Sequence, residues 1–170
     1  LGATTPEGFG DYFSWAPSDS SFAGGKTTFS SSEYKSPIPS DQISEDGRDY
    51  AENVFPPYAI LRYRNKWQSW RLPTKAEYQE LLDNCTAEDK TINGVAGKLY
   101  TSKINSKTIF FPYCGYIANS GFKSVKTGGL YWTKSSVTAG QATTLWSYKG
   151  AAFIEDSYRH LGASIRCVTY

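Results

Sequence analysis

The stretch Trp70-Arg71-Leu72-Pro73-Thr74-Lys75-Ala76-Glu77 carries the most constraining signal in this chain. Thr74 and Glu77 have the T-x-x-E spacing of a capping box, in which each side chain satisfies a backbone N–H that the start of a helix leaves open. Behind it Tyr78, Leu81, Leu82 and Cys85 recur at i, i+3, i+4 and i+7, an apolar stripe of helical period. The spacing predicts a helix over residues 75–84 with that stripe in the core. Downstream the period changes. Asn93-Gly94 and Gly97 mark a turn, residues 108–113 form a β-rich apolar run, Gly128-Gly129 precedes Leu130-Tyr131-Trp132-Thr133, and residues 143–148 and 164–168 read as further strands. One or two helices followed by many short strands predict the α+β class.

Upstream, residues 1–47 are punctuated by Gly8, Gly10, Gly24-Gly25, Ser30-Ser31-Ser32 and Ser36-Pro37-Ile38-Pro39-Ser40, between aromatic clusters such as Tyr12, Phe13 and Trp15. This pattern predicts irregular structure anchored by aromatics, then a short helical turn near residues 49–52 that Pro56-Pro57 ends. A length of 170 residues fits one domain, and 39% hydrophobic content with 5 Trp, 13 Tyr and 9 Phe excludes extended disorder. No apolar run approaches the roughly 20 residues of a membrane-spanning helix. The chain begins at Leu1 rather than Met, which reads as a processed or trimmed piece in which a missing export signal says little about location.

The formal net charge of +2 conceals an asymmetry: residues 1–53 carry nine acids against three bases, residues 54–170 seven against fifteen. Oppositely charged patches that pack together, or a basic surface for phosphate or a polyanionic sugar, both follow from such a division. Strand alternation across residues 62–67 would set Arg62, Arg64 and Lys66 on one face and Tyr63 and Trp67 on the other. That is less charge than nucleic-acid binders cluster, so no nucleic-acid partner is expected. Cys85, Cys114 and Cys167 are too far apart for a CxxC pair or zinc-ligand spacing, and a single His makes a His-based metal site poor. One disulfide with a thiol left over and three buried free thiols are both open.

Five segments in order carry a resemblance: LGATTPEGFGDYFSWA (residues 1–16), WRLPTKAEYQELLDNC (70–85), IFFPYCGY (109–116), GLYWTKS (129–135) and RHLGASIRCV (159–168). Together they resemble the family named for the major paralogous proteins of Fibrobacter succinogenes, surface proteins of gut and rumen bacteria. The resemblance implies a C-type-lectin-like fold over residues 1–170, exported and displayed on a cell surface, secreted or carried on a virion. Residues 55–68 look longer and more basic than the family's usual approach to WRLPT, and Cys114 stands where a small residue is commoner.

The resemblance extends to formylglycine-generating enzymes, which are expected to use two closely spaced cysteines near the chain end. Here only Cys167 lies there, and no nucleophile motif accompanies His160, so catalysis is not expected. The E-P-N, Q-P-D and W-N-D tripeptides of calcium-dependent sugar sites are missing as well, and no cofactor is implied. The C-terminal segment is also similar to the variable proteins of diversity-generating retroelements, in which a fixed scaffold presents diversified contact residues. By that resemblance Trp132, Ala142, Leu145, Arg159, Gly162, Ser164, Ile165 and Arg166 are scaffold. The interleaved Tyr131, Lys134, Thr143, Thr144, Trp146, Tyr148, Phe153, Glu155, Asp156, Tyr158, His160 and Leu161 form an exposed loop face that binds a protein or glycan ligand. Trp, Tyr and His suit that role because they give large amphipathic contact area at low entropic cost. The alternative is a structural or adhesive module of a bacterial surface or phage assembly, held through residues 1–47.

Overall fold

The computed structural model describes residues 3–15, 60–63, 66–119, 121–138 and 140–169. The elements run β1 (Ile60–Tyr63), β2 (Lys66–Arg71), α1 (Lys75–Asn84), β3 (Cys85–Ile92), β4 (Val95–Ser102), β5 (Thr108–Pro112), β6 (Tyr116–Ala118), β7 (Gly121–Lys123), β8 (Gly128–Ser136), β9 (Gln141–Tyr148), β10 (Ala151–Tyr158) and β11 (Val168–Thr169). They form small sheets of order β1-β2-β11, β10-β9-β8, β3-β4-β5 and β6-β7, with antiparallel ladders throughout. The chain is α+β. The turn expected near residues 49–52 and most of the loop-rich segment lie outside the described residues.

Helix α1 forms where the capping box places it. The Thr74 hydroxyl accepts from the Glu77 N–H at 3.1 Å, and a Glu77 carboxylate oxygen accepts from the Thr74 N–H at 2.8 Å. Arg71 adds a two-pronged pair to Glu77, at 2.7 and 2.6 Å. These donors hold the Glu77 carboxyl down at about 2. Tyr78 is buried, with Leu81, Leu82 and Cys85 packed partly against the same cluster. Cys85 is already extended, so β3 starts where the helix ends.

Asn93 and Gly94 turn the β3–β4 hairpin with φ of 49° and 82°, the left-handed pair a two-residue hairpin loop needs. Gly97, expected in that turn, instead lies within β4: a Cβ there would stand 2.3 Å from the Phe110 ring, so the missing side chain is filled by its neighbour. Residues 62–67 do not make one strand, because Tyr63 pairs with Lys66 and Arg62 with Trp67 across a hairpin. The alternation that would align three basic residues is therefore broken by a chain reversal. Residues 164–168 are also not one strand: Ser164 forms a single parallel bridge to Tyr131, and β11 starts only at Val168.

The β8–β9–β10 sheet organises the interior because both of its faces are covered. Leu130 and Trp132 join Phe13, Trp15, Leu72, Ala142, Ala163 and Ile165 on one side. Tyr131 and Leu145 join Tyr12, Tyr78, Tyr100, Phe111 and Cys114 on the other, where Phe111 meets Tyr78, Tyr100 and Tyr131 edge to face. The N-terminal segment is stitched to this sheet by exchanged indole donors: Trp15 Nε1 to the Thr133 carbonyl at 2.8 Å, and Trp132 Nε1 to the Phe13 carbonyl at 2.7 Å. The wholly buried Arg159 guanidinium sits 4.4 Å from the Trp15 ring centre and donates to the Gln141 carbonyl. Ala142, Leu145, Gly162, Ser164 and Ile165 are buried as well, and Arg166 is half-buried. All three cysteines are free thiols, with Cys114 fully buried.

Candidate functional site

Residues 131–161 were expected to present their contacts on loops; most stand on β8, β9 and β10 instead. β10 carries no strand signal in the sequence because Ala151–Tyr158 (AAFIEDSY) has no clean apolar alternation; its register with β9 supplies the pattern. In that register Phe153 faces Trp146 and Glu155 faces Thr144, which sets them with Tyr148 on one side of the sheet. Asp156 faces Thr143 and Tyr158 faces Gln141, on the other side. The expected contact residues thus divide between two faces.

Three of them are interior. Tyr131, Thr143 and Thr144 are at most 2% exposed, because the sheet is covered on both sides at these positions. Leu161 packs against the first core cluster. Lys134 is half-buried, and its backbone N–H donates to the Pro73 carbonyl at 2.9 Å, next to the helix start. None of these five joins the exposed group described next.

That group is aromatic. Trp146 and Tyr148 stack at 5.2 Å with 13° between planes, and Phe153 lies parallel to both at 6.4 Å. Tyr116 of β6 meets Trp146 edge-on at 5.4 Å. Phe153 is 41% exposed, while Trp146, Tyr148 and Tyr116 are half-buried. The Tyr148 ring lies over Gly128, its register partner on β8, where a Cβ would come within 2.2 Å of the ring. Tyr116 had no separate signal in the sequence; it follows Gly115, whose φ of 73° turns the chain just before it.

A directed chain of hydrogen bonds fixes the central ring. Trp146 Nε1 donates to the Ser157 hydroxyl at 3.1 Å, and the Thr144 hydroxyl donates to the Glu155 carbonyl at 2.9 Å. Thr144 has then used its only proton, so the 2.9 Å contact between Ser157 and Thr144 runs from Ser157 to Thr144. The indole is locked from behind, which lowers the entropy a ligand would have to remove. Exposed Glu155 places a carboxylate on the same face.

Tyr158 and His160 form a separate pair, stacked at 5.6 Å and 25°. Tyr158 is 60% exposed, and burial pulls the His160 imidazole below its usual 6.5. Burial also pushes the Cys167 thiol up, away from the low pKa of a reactive thiolate. Among the described residues no three His, Cys, Asp or Glu side chains gather, and no helix is long and apolar enough to cross a membrane. Compared with family models, curated proteins and solved structures, the chain matches none.

Proposed function

We propose that this chain is a C-type-lectin-like binding module, displayed outside the cytoplasm, that recognises a protein or glycan without chemistry through Tyr116, Trp146, Tyr148 and Phe153. The observation that carries this reading is the group of three nearly parallel rings, partly open to solvent, on a sheet face where Leu130, Trp132, Ala142 and Thr144 are interior. Rigid aromatic groups with one open side bind either a sugar ring or an apolar protein side chain at little entropic cost. Glu155 beside the rings supplies an acceptor for hydroxyl or amide groups. A family of related proteins diversified at such positions would be a set of variable binders on one scaffold.

Glycan and protein arrays probed with the full chain test the reading. A ligand retained by the wild type should be lost with Phe153→Ala and with Trp146→Ala, and Tyr158→Ala, on the separate pair, reports whether the contact reaches that far. Phe153 is the cleaner probe because Trp146 also packs against the core. Undiminished binding by a folded Phe153→Ala, Trp146→Ala double variant would move the site elsewhere.

A further inference from the structure

A second feature lies at the turns that close the β3–β4 and β9–β10 hairpins. A cavity of about 240 Å³ is lined there by Asp89, Lys90, Gly97, Tyr113, Lys126 and Lys149, among others. Its one carboxylate is already satisfied: Asp89 accepts from the buried Lys98 ammonium at 2.6 Å, from the Tyr113 hydroxyl, and from the Gly150 N–H at 2.8 Å. Those donors hold the Asp89 carboxyl down at about 2 despite partial desolvation, so it stays ionised and Lys98 balances it. The remaining lining charge is the three ammonium groups of Lys90, Lys126 and Lys149. Lys90 also meets Glu88 at 3.1 Å, but both side chains are about half exposed and such a pair is weak. Lys126 and Lys149 pair with no carboxylate among the described residues.

Backbone hydrogen bonds tie down the turns that carry Lys126 and Lys149. Lys126 adopts a φ of 68°, a left-handed conformation where Gly or Asn would be the ordinary choice, and its N–H donates to the Tyr113 carbonyl at 2.8 Å. The Lys149 N–H donates to the Thr127 carbonyl at 2.9 Å, tying the two lysine-bearing turns together. The volume is below the roughly 300–1,000 Å³ of sites that enclose drug-sized ligands, and suits one small charged group.

We propose that this cavity is a binding site for a tetrahedral oxyanion, a sulfate or phosphate group, held by Lys90, Lys126 and Lys149 over the neutralised Asp89–Lys98 floor. Lysine ammoniums act as point charges toward such groups and require no fixed planar geometry. None of Tyr116, Trp146, Tyr148 and Phe153 lines this cavity, so the site shares no side chain with the aromatic face.

The test titrates the full chain with inorganic sulfate and phosphate at constant ionic strength, following the amide resonances of Lys126, Thr127, Lys149 and Gly150. Saturable shifts are expected. Lys149→Gln and Lys126→Asn, the latter keeping a residue that tolerates the left-handed backbone, should each weaken binding about fivefold, the worth of one solvated charge at close range. The double variant should show no saturation, while Lys107→Gln, an exposed lysine away from the cavity, should bind as wild type. A heparin oligosaccharide that binds more tightly than inorganic sulfate identifies a sulfated polysaccharide as the carrier; equal affinity identifies the free ion. Absence of saturable shifts in the wild type, or equal weakening by Lys107→Gln, overturns the proposal. Phe153→Ala leaves this titration unchanged, so failure here and failure of the aromatic reading are distinguishable.

Discussion

Gly128→Ala tests the aromatic arrangement from beneath. Gly128 has no left-handed backbone angle, so alanine is allowed there and the whole effect falls on what its methyl would meet: Tyr148 Cδ1 at 2.2 Å and Cε1 at 2.5 Å. These atoms lie near the root of the side chain, so the ring must swing out as a unit. Doing so forfeits its stack on Trp146, about 0.5–1.5 kcal/mol. Alanine returns about 0.5–1 kcal/mol over glycine inside a strand. The net expectation is near neutral to a loss of about 1 kcal/mol in urea unfolding, with a large change in the near-ultraviolet circular dichroism of the Trp146–Tyr148 pair and loss of ligand binding. A double-mutant cycle makes the argument refutable. In a Tyr148→Ala background the methyl has no ring to displace, so Gly128→Ala should become neutral or stabilising. An equal penalty in both backgrounds would show that the Tyr148 ring does not occupy the space above Gly128.

Further outcomes follow from the carboxylate pairs and the left-handed glycines of the scaffold. The Glu77 carboxyl is drawn down from 4.5 to about 2 chiefly by Arg71, and that of Asp89 from 3.8 to about 2 by Lys98, Tyr113 and Gly150. A carboxyl with a depressed folded pKa stabilises above its unfolded value and loses that contribution as pH falls through the folded one, so urea midpoints should drop between about pH 4.5 and 2. Glu77→Gln, which keeps the cap acceptor but not the ion pair, should cost about 0.5–1 kcal/mol at neutral pH and shrink that acid-side drop. Gly115→Ala should cost about 2–4 kcal/mol, combining left-handed strain with a methyl 2.2 Å from the Lys123 carbonyl. Gly94→Ala, equally left-handed but with open space around it, should cost only the strain, about 1–2 kcal/mol, and equal losses at both sites would refute the steric part.

The helix and its cap were legible because both depend on neighbours within one turn: Thr74, Glu77 and the Tyr78 stripe are mutually sufficient, and Arg71 only reinforces them. The Asn93-Gly94 hairpin was legible for the same reason. Gly97 was not, since its meaning depends on the Phe110 ring from the next strand. The 62–67 segment failed because alternation is the same for one strand and for two arms of a hairpin until the pairing partner is known.

The contact face shows the limit most clearly. Alternation assigns faces correctly, and Thr144, Trp146 and Tyr148 do share one, but a face is a binding surface only where nothing covers it. β9 passes from wholly covered at Ala142 and Thr144 to partly open at Trp146 and Tyr148 along a single side of the sheet. The boundary is set by the N-terminal Phe13 and Trp15, which pack into the cluster that holds Ala142. That packing is anchored through Thr133 and Arg159, more than a hundred residues from Phe13 and Trp15 in sequence. Composition could therefore name the aromatic rings capable of contact, but only the long-range closure of the N-terminal segment decides which of them a ligand can reach.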